Sequence, residues 1–162
     1  FYLPDRGLLS GPRTLRWFLS SAARRYGTGA EGAWREVARE LGIGAVLDTG
    51  VDELSGGERR RAALVLAELR QPACLLADEP FRGIAPSDAE IVTQVLAGLR
   101  DRGCGIVVTG HEVPEILALA DRVIWLTAGT THGLGTPEEA RDHPQFVREY
   151  LGYARRGRRR LG

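Results

Sequence analysis

Two short stretches hold the residues whose types and spacing could do chemistry. Leu54-Ser55-Gly56-Gly57-Glu58 is a serine and two glycines that run straight into an amphipathic helical pattern. Ala73-Cys74-Leu75-Leu76-Ala77-Asp78-Glu79-Pro80 is an apolar run that ends in two adjacent carboxylates. Glycines let backbone come close to a ligand, and free N–H groups at a helix start favour an anion. Ser55 with Glu58 three residues on reads equally well as an N-cap with its capping box, which needs no ligand. The second stretch predicts a buried strand that delivers Asp78 and Glu79 to its C-terminal tip, where α/β proteins hold ligands. Two carboxylates there suit Mg²⁺ and the orientation of an attacking water. Simple solvation of an acidic pair at a strand end is the plain alternative.

The flanking chain supplies the elements that must position these groups. Phe1–Asp5 reads as the end of a strand entering a loop at Pro4. Leu15, Phe18 and Leu19 predict a helix over 14–26, and Trp34, Val37, Ala38 and Leu41 a second over 31–41, with glycines breaking the pattern between them. A third helix is expected over about 55–70 with Ala63, Leu66, Ala67 and Leu69 inward, stopped by Pro72. Arg59, Arg60 and Arg61 at its start read as a solvated first turn, with one member recruited to a ligand. After the 73–78 strand come a helix over 87–101 (Ile91, Val95, Leu96 and Leu99 inward), a strand over 105–109, and then His111. A short helix over 113–120, a strand over 122–127, a turn at 129–133 and a helix capped by Thr136 with Pro137 complete the order. Arg155, Arg156, Arg158, Arg159 and Arg160 make the tail 153–162 strongly basic and expected to be disordered.

Composition sets the bounds. The 162 residues are one domain's worth of chain, 43% hydrophobic, with no apolar run near a membrane span and no signal-peptide pattern, which points to a soluble chain. The formal net charge is +1, and the arginine tail leaves the preceding residues net acidic. Cys74 and Cys104 lack metal-type spacing and are expected as small buried hydrophobes in core strands. His132 and His143 carry no functional expectation. All 22 cations are arginine, and lysine, asparagine and methionine are absent.

LSGGE, a helix, and an apolar strand ending in DEP, in that order and at that spacing, resemble the ATP-binding subunits of ABC transporters. DEPFxG(I/V)xP together with GTPEEA and QFVREYLG further resembles the lipopolysaccharide-export and branched-chain amino-acid import ATPases. The resemblance runs from Phe1 to about Gly152. It implies an α/β, P-loop NTPase-like core with a helical subdomain. The expected division is a helical subdomain over about 12–70 and a core over about 71–152. A P-loop needs the lysine of GxxxxGK[ST] to reach the phosphates, and this chain has none. The sequence is therefore expected to be the C-terminal part of a longer protein whose Walker A segment precedes Phe1, inactive and poor at binding ATP by itself.

The same resemblance assigns roles. Leu54, Ser55, Gly56, Gly57 and Glu58 would be the signature motif, touching the γ-phosphate of ATP held by an opposite subunit. Asp78 would hold Mg²⁺ through water, Glu79 would polarise the hydrolytic water, and His111 would be the H-loop histidine that contacts the γ-phosphate. Two positions depart from the pattern. Asp5 stands where a Q-loop glutamine is expected; a carboxylate suits a hydrated Mg²⁺ but cannot donate a hydrogen bond when ionised. Ala85 stands where the D-loop aspartate links the two ATP sites. ATP and Mg²⁺ are the implied cofactors, with transmembrane permease subunits and a second ATP-binding subunit as partners. Arg13 and Trp17 are candidate permease contacts. No specific nucleic acid is expected, and the location implied is the cytoplasmic face of a membrane. A soluble ABC ATPase acting on DNA or ribosomes, and a degenerate non-hydrolysing subunit, are the alternatives.

Overall fold

The computed structural model describes residues 1–5, 8–26 and 32–151. The basic tail, with its expected disorder, lies outside them. By internal contacts the chain forms two compact units, one over Phe1–His111 and a second that begins at Glu112.

The first unit combines helices with a short parallel sheet. Its elements are β1 (Tyr2–Leu3), α1 (Leu15–Tyr26), α2 (Ala33–Glu40), α3 (Gly56–Arg70), β2 (Cys74–Asp78), α4 (Pro86–Asp101) and β3 (Gly105–Thr109). Helix α3 is the hub, with α1, α2 and α4 all packed on it. It buries Ala62, Ala63, Leu64, Val65, Leu66, Ala67 and Leu69, so its apolar surface runs nearly all round, as expected of an internal helix. On α4 the buried set is Val92, Val95, Leu96 and Leu99, while Ile91 is half-buried. The seam therefore starts at Val92, whose i+3, i+4 and i+7 neighbours are those three residues. Phe18 and Val37 are likewise half-buried at the edges of their seams.

The strands run in the order β1-β2-β3, all parallel, with Leu76 facing Tyr2 on one side and Val107 on the other. One face of this sheet is covered, with Leu3 and Leu75 fully buried. The other is bare: Tyr2 is 54%, Leu76 47% and Val107 54% exposed. Period-two alternation puts Cys74 on that bare face, so it is exposed while Cys104 is buried. The expectation of two buried cysteines fails at Cys74 for this reason.

In the second unit, α5 (Val113–Leu119) precedes an antiparallel hairpin of β4 (Val123–Thr127) and β5 (Thr130–Gly135), followed by α6 (Pro137–Asp142). The expected turn at 129–133 is shorter than predicted. Ala128 (φ 47°) and Gly129 (φ 75°) make the whole connection, with the positive φ at both residues that two-residue hairpins favour. Thr130 and Thr131 are free to pair with Thr127 and Leu126. Trp125 packs with Val113, Leu117, Leu134, Ala140 and Phe146. His132 and His143 lie against the Trp125 ring, and His143 also accepts a hydrogen bond from the Phe146 N–H. Thr136 caps α6 as expected, and Glu139 completes a capping box with it.

Candidate functional site

Asp78 ends β2 on the bare face of the sheet, and strand register chooses its partners. Thr109 is its direct neighbour on β3, and Tyr2 is diagonal to it on β1. Thr109 Oγ1 donates to Asp78 Oδ1 at 2.6 Å, and the Tyr2 hydroxyl donates to Oδ2 at 3.1 Å. The Thr109 bond, then the Tyr2 bond, hold the Asp78 carboxyl below the usual aspartate range. The bond to Asp78 pushes the Tyr2 phenol up. Each carboxylate oxygen still has a lone-pair direction to spare. An ionised, oriented Asp78 fits the holding of a water from a hydrated Mg²⁺. Neither Tyr2 nor Thr109 carries a sequence signal for this task, because parallel register is invisible in the sequence.

Glu79 follows directly and is left-handed, with φ 49°. A non-glycine residue there costs about 1–2 kcal/mol, so its neighbours must impose the geometry. The Glu79 N–H donates to the Thr109 carbonyl at 2.9 Å. Its own carbonyl accepts from the Arg82 N–H at 3.2 Å and from Arg60 Nη2 at 3.1 Å. The turn thus sends the Glu79 side chain away from the strand direction and toward His111, whose Nδ1 stands 3.0 Å from Glu79 Oε2. That oxygen is buried and accepts no aligned hydrogen bond among the described residues, so a water reaches it only with a shift of the side chain. Asp78, Glu79 and His111 are therefore brought together at the C-terminal ends of two adjacent parallel strands.

The start of α3 is a capping box. Ser55 Oγ accepts from the Glu58 N–H at 3.2 Å, and Glu58 Oε2 accepts from the Ser55 N–H at 2.8 Å. The bonds to Ser55 hold the Glu58 carboxyl below its ordinary range. Glu58 and Arg59 N–H groups are satisfied within the helix start, whereas Gly56 and Gly57 are first-turn residues whose N–H groups have no acceptor inside the helix. Leu54 is buried behind them, whereas Ser55 and Gly56 are exposed.

The two glycines differ. A Cβ at Gly56 would meet nothing within 4 Å, but a Cβ at Gly57 would run into the Asp88 carboxylate, 2.9 Å from its Cγ. Asp88 is held there by Arg61, Nε to Oδ1 3.1 Å. A side chain at Gly57 would thus project into α4 of its own chain rather than into open space. Gly56 is the residue with open space ahead of it.

The arginines after the motif are also not a solvated turn. Arg59 donates to the carbonyls of Asp52 and Leu54, and Arg61 to those of Leu41 and Gly42. Arg60 is buried and donates to the carbonyls of Pro4, Asp5 and Glu79. Long side chains at a helix start can reach back over preceding loops, and these carbonyls lack strand partners. Asp5 faces arginines: its carboxylate is 3.5 Å from Arg60 Nη2 and 3.1 Å from Arg82 Nη1. Ala85 is the exposed N-cap of α4 and gives that helix no side-chain cap. Arg13 stacks over the exposed Trp17 ring at 5.3 Å.

The family model described as ABC transporter matches residues 16–82. The zinc import ATP-binding protein ZnuC of Alkalilimnicola ehrlichii is 36% identical over 143 residues, covering 88% of this chain and 52% of that protein. The lipopolysaccharide export system ATP-binding protein LptB of Haemophilus influenzae is 37% identical over 117 residues, covering 72% and 48%. The chain spans about half the length of the curated relatives it matches. Among solved structures, an ATP-binding subunit of an ABC transporter aligns with a TM-score of 0.71 at 24% identity, over 87% of this chain and 60% of that one. A putative metal-chelate type ABC transporter in an inward-facing conformation aligns with a TM-score of 0.70 at 16% identity, over 86% and 58%. These two likenesses bear on the fold, which is that of ABC ATPases.

Proposed function

The chain is a homologue of the ATP-binding proteins of ABC transporters, and from that premise we propose that the complete protein hydrolyses ATP to move a substrate across a membrane through permease subunits. The convergence of Asp78, Glu79 and His111 at the ends of β2 and β3 carries this reading. Asp78, fixed by Thr109 and Tyr2, would hold Mg²⁺ through a water. Mg²⁺, when bound, supplies charge neutralisation at the β and γ phosphates. Glu79 takes the hydrogen bond of the attacking water through its carboxylate, and His111, 3.0 Å from Oε2, keeps that water and the γ-phosphate in line. The first turn of α3, with Ser55, Gly56 and Gly57, receives the γ-phosphate of ATP held by a second subunit. Leu54 anchors that turn from beneath and Glu58 closes its cap. The α and β phosphates require a lysine-bearing loop, and no residue of this chain is a lysine.

The partners proposed are a second ATP-binding subunit and a permease that docks on the helical segment 12–70, near Arg13 and Trp17, at the cytoplasmic face of a membrane. No helix among the described residues is long and apolar enough to cross a membrane. The pairing of Asp5 with arginines and the bare Ala85 favour one second reading, a subunit that binds ATP without hydrolysing it. One comparison on the complete gene product separates the two. If Glu79 acts on the water, Glu79→Gln binds ATP but loses about 10²–10⁴-fold in turnover. Hydrolysis by Glu79→Gln at the parent rate refutes the assignment, and a parent protein without turnover establishes the second reading.

A further inference from the structure

Among the described residues of the first unit, the charged side chain most deeply buried belongs to Arg60, at 7% exposure. Its partners lie on two segments far apart in sequence. Nη1 donates to the Pro4 carbonyl at 3.2 Å, and Nη2 donates to the carbonyls of Asp5 at 3.2 Å and Glu79 at 3.1 Å. The Asp5 carboxylate lies 3.5 Å from Nη2, which offsets the cost of burying the cation, and is itself held by Arg82 at 3.1 Å. One planar guanidinium thus joins three places: the end of β1, the start of α3 and the turn after β2.

The Glu79 carbonyl is the bond that matters for chemistry. Glu79 is left-handed, and its carbonyl orientation is part of what keeps φ at 49°. Relaxing the residue toward ordinary backbone would rotate the carbonyl away from Arg60 and swing the carboxylate off the line it shares with His111.

We propose that Arg60 is a positioning residue for Glu79, clamping its strained backbone, and that Asp5 serves this clamp rather than the metal. This rests on Glu79 being the hydrolytic carboxylate. Arginine is required because its rigid fork reaches carbonyls on both sides at once, whereas a lysine ammonium is a single point on a flexible stem. A misplacement of about 1 Å in a reacting group can cost about 10²-fold in rate.

The test measures ATP binding and hydrolysis separately on the complete gene product. Arg60→Gln should bind Mg·ATP with the parent stoichiometry and an affinity within about threefold, while kcat falls about 10- to 100-fold, as expected of a displaced group. Arg60→Lys should fall between the two, because it keeps the charge and loses the fork. Where Arg60→Gln fails to fold, Arg60→Lys carries the test alone. A parent kcat in either variant at full binding stoichiometry overturns the proposal, as does a kcat loss that merely tracks lost binding sites. Glu79→Gln is run alongside. If it retains turnover, the reading of Glu79 falls; if it collapses while Arg60→Lys and Arg60→Gln turn over normally, only the clamp falls.

Discussion

Gly57→Ala and Gly56→Ala are adjacent, chemically identical changes for which the structure predicts opposite outcomes. At Gly56 the new methyl meets nothing within 4 Å. Alanine there gains up to about 0.5–1 kcal/mol from the lower backbone entropy of the unfolded chain, less whatever the first turn discounts. At Gly57 the methyl runs into Asp88, with Cγ 2.9 Å away, and moving the Asp88 carboxylate aside disturbs its ion pair with Arg61. Overpacking of this kind costs about 1–3 kcal/mol. Set against the alanine gain, a net loss of about 1 kcal/mol remains, or about 2–4 °C in Tm for a protein of 150–250 residues. Denaturant and thermal unfolding of the complete gene product read both numbers. Adding Asp88→Ala to Gly57→Ala should recover about 1 kcal/mol more than the two single changes predict together, since the two residues are in direct contact. Equal stability of the two alanine variants, or additivity of Gly57→Ala with Asp88→Ala, would refute the reasoning. The contrast also selects the probe for action across a dimer. Gly57→Asp would confuse repulsion from Asp88 with any effect on a bound phosphate, whereas Gly56→Asp meets only the space in front of the helix. Gly56→Asp should therefore abolish ATP-driven dimerisation and leave the melting temperature near that of the parent.

Asp78 gives a pH prediction. Its carboxyl is depressed in the folded state, so its contribution to stability is present above the ordinary aspartate pKa of about 3.9 and is lost as pH falls through the lower folded value. Thr109→Val, and less strongly Tyr2→Phe, should raise the Asp78 titration toward the ordinary value by NMR and move acid unfolding to higher pH; an unmoved titration would contradict the hydrogen bonds as cause. Asp5→Asn removes the charge that faces Arg60 and Arg82. It should lower kcat several-fold without changing the Mg²⁺ concentration for half-maximal turnover by more than about twofold, since a carboxylate occupied by arginines is not a metal ligand; a large rise in that Mg²⁺ requirement would return Asp5 to the metal.

Much of the site was legible because its signals are local. A glycine pair before a helical period, an apolar run ending in Asp78 and Glu79, and a histidine two residues past a strand need only spacing to be seen. The caps at Ser55 and Thr136 were readable for the same reason, since a capping box lies within four residues. What the sequence could not reveal are relations set by register and by packing between distant segments. Tyr2 and Thr109 reach Asp78 only because three parallel strands align Tyr2 with Leu76 and Asp78 with Thr109. Nothing in the linear order of three arginines distinguishes Arg60, which is buried against Pro4, Asp5 and Glu79, from its neighbours. A run of three arginines favoured a solvated patch, and loop carbonyls outside the strand ladders drew the side chains inward instead. Gly57 makes the same point in reverse: the motif explains a glycine by the ligand, while the fold already requires one, because α4 brings Asp88 up to the place where a side chain would begin.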